Sequence, residues 1–131
     1  MSRRGRSRYQ RTDRIAEAIR SIVATELERI GDDRLELVTV TAVEVDADLE
    51  GARVFYSALS AESAGRLEGV IEALEEVRWP IQRTINREIR ARRTPQITFL
   101  PDDVLRQALR LEDLMAGRVE PAVEEEGSDG R

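Results

Sequence analysis

The sequence predicts one α+β domain, a small mixed sheet layered against helices. Three observations predict it. Apolar residues recur at three- and four-residue spacings over 15–30, 64–89 and 105–115, which marks helix faces. β-Branched clusters at 35–46, 52–59 and 96–100 mark strands. A short polar turn joins the first two strands and a long helical stretch joins the second to the third, so the first pair is antiparallel and the sheet is mixed. The predicted order is α-β-β-α-kink-α-β-α, over three strands.

Residues 1–11 lack apolar periodicity and hold Ser2, Gly5 and Ser7 among arginines, which predicts a flexible basic arm over 1–12. Thr12 or Asp13 offers a helix N-cap. Ile15, Ala18, Ile19, Ile22, Val23 and Ile30 form one apolar face, with Leu27 beside it, and Gly31 is a natural stop. The first helix is therefore expected over 13–30. Asp32 and Asp33 make a turn. In 35–46 the apolar parity changes between Val40 and Val43, which calls for partial burial of both faces or a bulge near Ala42. Asp46 to Gly51 turn the chain, and Ala52, Val54, Tyr56 and Ala58 share one side of the second strand.

Ser60 can cap a second helix carrying Ala64, Leu67, Val70, Ile71 and Leu74. Pro80 lacks a backbone donor and disfavours helical geometry at Trp79, which predicts a kink there. Helix resumes through Ile81, Ile85 and Ile89 to about Arg92, and residues 96–100 form the third strand. Pro101, Asp102 and Asp103 open a last helix that Gly117 ends. The domain is thus predicted over 13–116, with helices on one face of the sheet. A flexible acidic tail is predicted over 117–131, including Glu124, Glu125 and Glu126.

Composition removes most catalytic chemistry. The 131 residues contain no cysteine and no histidine, so thiol nucleophiles, imidazole acid–base work and the usual zinc sites are excluded. No apolar run reaches the roughly 20 residues of a membrane span, and the basic N-terminus has no apolar stretch behind it. The pairs Asp32–Asp33, Asp46–Asp48 and Asp102–Asp103 sit where turns and helix starts need them, which accounts for them without magnesium or acid–base chemistry. Thr39 and Thr41 are sheet-forming residues with no accompanying base. No cofactor, metal or small-molecule substrate is called for.

The net charge of −5 conceals segregation. All 21 basic residues are arginine. Residues 1–14 hold six arginines and one acid, and 78–93 again hold six and one. Residues 15–77 hold five arginines and fifteen acids. Two compact basic segments in an acidic chain keep nucleic acid open as a partner.

The strings VTVTAVEVDADLEGARVFYSAL, RTDRIAEAIRSIVATELERI and RRTPQITFLPDD resemble the bacterial ribosome-binding factor A family over roughly residues 8–115. The resemblance implies a type II KH-like fold without the GXXG loop by which KH domains clamp nucleic-acid backbone. It implies a non-enzymatic cytoplasmic ribosome biogenesis factor. Its partners would be the free, immature small (30S) ribosomal subunit and its 16S rRNA, and its task late maturation and processing of that rRNA. The family's small-residue kink, Ala-x-Gly, falls on Val77, Arg78 and Trp79. Neither small residue is present, and Pro80 would supply the bend instead. The chain is expected to act as a monomer.

Candidate RNA-binding residues follow from the charge map. At about 100° per residue, Arg83, Arg87 and Arg90 would lie within roughly 60° of arc on a helix, opposite Ile81, Ile85 and Ile89. Arg92 and Arg93 extend them. Arginine forks on such a stripe pair with phosphate oxygens. The second set is Arg3, Arg4, Arg6, Arg8, Arg11 and Arg14, with Tyr9 among them as a base-stacking ring. Trp79 is read as a packing residue at the bend, with a base-stacking platform as the alternative. The alternative is a protein-interaction module of the same fold, docking through acidic residues 15–77 without RNA contact.

Overall fold

The structure, a computed structural model, describes residues 2–117, with the side chains of 2–10, 104–106 and 108 excepted. The acidic tail expected over 117–131 therefore lies outside the described residues beyond Gly117. Seven elements follow in chain order: α1 (Ser2–Ile30), β1 (Thr39–Val45), β2 (Gly51–Ser57), α2 (Leu59–Ser63), α3 (Leu67–Glu88), β3 (Gln96–Pro101) and α4 (Asp102–Met115). A 3-10 turn at Asp33–Leu35 precedes β1.

The sheet has the order β1-β2-β3, with β1 antiparallel and β3 parallel to β2. The predicted bulge is present. Val40 pairs with Tyr56 and Ala42 with Phe55, so Thr41 is the extra residue. That insertion returns Val43 and Val45 to the face of Val40. The core lies between this face and the helices α1 and α3. It contains Ile19 and Val23 from α1, Val54 and Ile97 from the sheet, and Val70, Ile81 and Ile85 from α3, each at most 1 % exposed. A side chain of this size contributes roughly 1.5–3 kcal/mol when fully buried.

Four sequence expectations are corrected. First, α1 begins at Ser2 rather than 13. Arginine is a good helix former, and each residue added to an existing helix gains a hydrogen bond without a new nucleation cost, which outweighs one Gly5. Second, the helical break falls at Gly65, not Pro80. Gly65 has φ +72°, a left-handed conformation that costs other residues about 1–2 kcal/mol, and its N–H bonds back to the Glu62 carbonyl. Third, α3 runs unbroken through Pro80 and stops at Glu88, with Ile89 extended. Its buried face, Val77, Ile81 and Ile85, continues across Pro80 and holds the helix together there. Fourth, the sheet's second face is not bare. Phe55 points away from Val54 and Tyr56 yet is only 3 % exposed, and α4 packs against β2 and β3. The Thr41 hydroxyl sits 3.0 Å from Asp102 Oδ1, joining the bulge to the first residue of α4.

One polar side chain in the core fixes how α3 meets β3. Gln82 is fully buried. Its Oε1 accepts from the Ile97 N–H at 2.8 Å, and its Nε2 donates to the Pro95 carbonyl and to Asn86 Oδ1, both at 3.0 Å. Replacing Gln82 by Leu strands the Ile97 N–H and the Pro95 carbonyl in a dry interior. The expected cost is about 2–5 kcal/mol in denaturant unfolding, with accelerated amide exchange at Ile97. Pro80→Ala should act in the opposite direction. It restores an N–H for the Glu76 carbonyl within a continuous helix and should raise stability by about 1–3 kcal/mol in the same measurement.

Candidate nucleic-acid interface

The fold decides whether the two basic segments can act together. Glu26 of α1 meets Thr84 of α3, with 3.4 Å between Glu26 Oε1 and the hydroxyl. Four residues past the end of α1, Arg34 bonds Glu76 at 2.7 Å and lies against Gly69. As the chain advances along α1 and into the turn, its partners on α3 recede toward that helix's start. The two helices are antiparallel. The arginine-rich beginning of α1 and the arginine-rich end of α3 therefore lie toward the same end of the domain.

On α3, Arg83 and Arg87 are exposed, as are Arg90, Arg92 and Arg93 in the connection to β3. Because the helix stops at Glu88, Arg90 is not on a helical stripe with the other two. Arg11 and Arg14 are exposed on α1. Arg3, Arg4, Arg6 and Arg8 belong to the same helix, but their side chains fall outside the described residues.

Ion pairing separates the arginines into two groups. Arg29, Arg34, Arg53 and Arg78 are engaged. Arg29 holds Glu26 at 2.7 Å, and Arg34 holds Asp32 and Glu76 at 2.7 Å. Arg53 holds Asp46 at 2.9 Å, and Arg78 approaches Glu75 at 3.6 Å. At the basic end, Arg93 alone is tied, to Glu50 at 2.7 Å. Among the described residues, no carboxylate lies within ion-pair distance of Arg11, Arg14, Arg83, Arg87, Arg90 or Arg92. Among the described residues these cations have no carboxylate in ion-pair contact, so they are open to an external anion.

The residues assigned to the kink divide. Val77 is buried in the core, Pro80 is half-buried, and Arg78 is taken by Glu75. Trp79 is 54 % exposed, so it is not a packing residue. It stands on the outer face of α3, just before Arg83.

The acidic pairs at 32–33 and 46–48 behave as turn residues, while Asp102 and Asp103 lie in the first turn of α4, whose N-cap is Pro101 without a side-chain cap bond. Asp32 accepts from the Arg34 N–H, and Asp48 from the Glu50 N–H. The Asp46 N–H bonds the Gly51 carbonyl to close the hairpin. Among the described residues no cluster of acidic side chains is placed to hold a metal ion.

Sequence reading missed Glu26. It is only 7 % exposed, on the core side of α1. The signal was present, since 19, 23, 26 and 30 are one stripe and an acid occupies the third place. Hydrogen bonding from Arg29 holds its carboxyl below the usual carboxylate range against the opposing pull of burial, and Thr84 and the positive field of Arg87 add to the lowering. Gln82 was also missed, because one glutamine at the edge of an apolar stripe has no periodic signature.

The family model for ribosome-binding factor A matches residues 11–115. The chain belongs to the ribosome-binding factor A family. A member from Acidothermus cellulolyticus is 39% identical over 107 residues, covering 81% of this chain and 70% of that one. A member from Pseudomonas aeruginosa is 32% identical over 120 residues, 91% of this chain and 90% of its own. The crystal structure of ribosome-binding factor A from Thermus thermophilus aligns with a TM-score of 0.59 and 29% identity, over 69% of this chain and 94% of that one. The KH-like α+β fold expected from the resemblance is the fold of this chain.

The Glu26 contacts generate a pH prediction. Its carboxyl is depressed on folding, so its contribution is complete above the ordinary carboxylate range and is lost as pH falls through the depressed value. Glu26→Gln should remove that part of the acid limb. Stability curves of the two proteins, measured by thermal unfolding, should converge at low pH and separate as pH rises toward neutrality, with the wild type the more stable.

Proposed function

We propose that this chain is a non-enzymatic, cytoplasmic ribosome biogenesis factor. It binds the free, immature 30S subunit as a monomer, contacts 16S rRNA through its basic end, and assists late maturation of that RNA. The observation that carries the reading is the set of exposed arginines without ion-pair partners among the described residues, Arg83, Arg87, Arg90 and Arg92, in a chain of the ribosome-binding factor A family. Arginine forks of this kind match phosphate oxygens in pairs and release counterions on contact. Arg11 and Arg14 add to the same end, and Arg3, Arg4, Arg6 and Arg8 belong to the helix that delivers them. Docking through the acidic middle is the weaker reading, since Glu72 and Glu76 are already faced by Arg34 and Glu75 by Arg78.

Replacing Arg83, Arg87 and Arg90 together by Ala should leave the domain folded, because all three are exposed. Affinity for the small subunit should fall several-fold to several hundred-fold, taking roughly 0.5–1 kcal/mol for each hydrated phosphate contact. The dependence of log affinity on log salt should flatten by about two to three units. Replacing Glu68, Glu72 and Glu75 by Ala should weaken binding little or strengthen it. Normal binding by the arginine variant, with lost binding by the acidic one, would replace the RNA reading with protein docking.

A further inference from the structure

The outer face of α3 carries one feature that phosphate contact does not use. Trp79 is the chain's single tryptophan and is 54 % exposed. At about 100° per residue, Arg83 lies roughly 40° around the helix from it, Asn86 roughly 20° to the other side, and Arg87 roughly 80° away. The fully buried Ile81 and Ile85 lie roughly 160° and 120° away. The indole thus shares its face with two exposed arginines that have no acidic partner among the described residues, all within about 12 Å along the axis.

Asn86 has a fixed orientation on that face. Gln82 Oε1 is occupied by the Ile97 N–H, so Gln82 can offer Asn86 only its Nε2. Asn86 Oδ1 accepts from it at 3.0 Å, which turns the oxygen toward Gln82. The exposed Asn86 amide therefore presents its NH2 group outward, a donor aimed at acceptors. Toward the start of α3 the same face turns acidic, with Glu72, Glu75 and Glu76. Phosphates are repelled there and attracted on the Arg83–Arg87 side.

We propose that Trp79, Arg83, Asn86 and Arg87 form a site for unpaired RNA, in which one base stacks on the Trp79 indole while its backbone lies over the two arginines. The site rests on the RNA-binding reading and adds a substrate class to it, single-stranded rather than helical RNA. A base inside a duplex has no free face for the indole, whereas phosphates are available in either form. The acidic half of the face makes Trp79 the limit of the contacted strand.

The lone tryptophan makes the test direct. The full chain is titrated with a short single-stranded oligoribonucleotide and with a duplex of equal length, reading tryptophan emission and affinity. The expected result is strong quenching by the single strand and little by the duplex. Trp79→Ala should weaken the single strand by about 5- to 150-fold, the range of one base–aromatic stack, and the duplex hardly at all. Trp79→Phe should retain most of the single-strand affinity, which also guards against a folding defect. Unchanged emission with unchanged Trp79→Ala affinity, while the arginine triple variant weakens, overturns the stacking site and leaves the RNA reading standing. Equal quenching by the duplex overturns it as well. If the Trp79→Ala and arginine variants both bind RNA normally, both readings fail. If Trp79→Ala loses the subunit but not the oligonucleotide, the indole meets a protein, and the stacking site is wrong.

Discussion

The buried amide of Gln82 is the contact on which the arrangement depends. A parallel strand cannot be delivered by a hairpin, so β3 reaches β2 only after the α2–α3 crossover, and something must set where it lands. Gln82 does this from inside α3. It takes up the Ile97 N–H and the Pro95 carbonyl, which a parallel edge strand would otherwise leave unpaired in the core. With Ile97 fixed opposite Ala52, the whole β2–β3 register follows. The consequence for function is positional. The connection from Ile89 to Pro95 is short and held at both ends, by the capped end of α3 and by Gln82. Arg90, Arg92 and Arg93 are therefore displayed from a tethered segment, and Arg93 is further fixed by Glu50.

Charge is divided along one helix rather than between domains. The first half of α3 carries Glu68, Glu72, Glu75 and Glu76, and the second carries Arg83 and Arg87. The acidic half is drawn inward electrostatically. Arg34 leaves the turn after α1 to face Glu72 and Glu76, its aliphatic stem passing beside Gly69. The basic half has no such internal partner among the described residues beyond the field of Glu26 on Arg87. The two halves of the helix thus differ in partners as well as in sign: acids of the first half face Arg34 and Arg78, whereas Arg83 and Arg87 face no carboxylate within ion-pair distance among the described residues.

Much of this was legible in the sequence, where the signal was periodic or local. The strands, the parity change near Ala42, the mixed sheet and the segregation of arginine all follow from residue order. The failures have physical causes. Pro80 was overvalued, because proline's local cost of about 3 kcal/mol is a propensity that a continuous buried face can override. Gly65 was undervalued, because a glycine signals a break only when its φ is known. Glu26 lay in plain view on the α1 stripe, but a buried acid is recognisable only once Arg29 and Thr84 are seen to satisfy it. The arginines were found, whereas their grouping into paired and unpaired sets depended on contacts between elements distant in sequence, such as Arg34 with Glu76.

Trp79 and Pro80 shape the outer face of α3. Val77 fills the core side, and the indole occupies the outer side at the border of the arginine face. Pro80 interrupts the hydrogen-bond ladder without ending the helix. It leaves the Glu76 carbonyl without its helical donor, while the buried Val77, Ile81 and Ile85 keep the helix intact around it. The indole is consequently carried on a continuous helix beside two arginines rather than on a hinge, so the proposed stacking surface is preorganised.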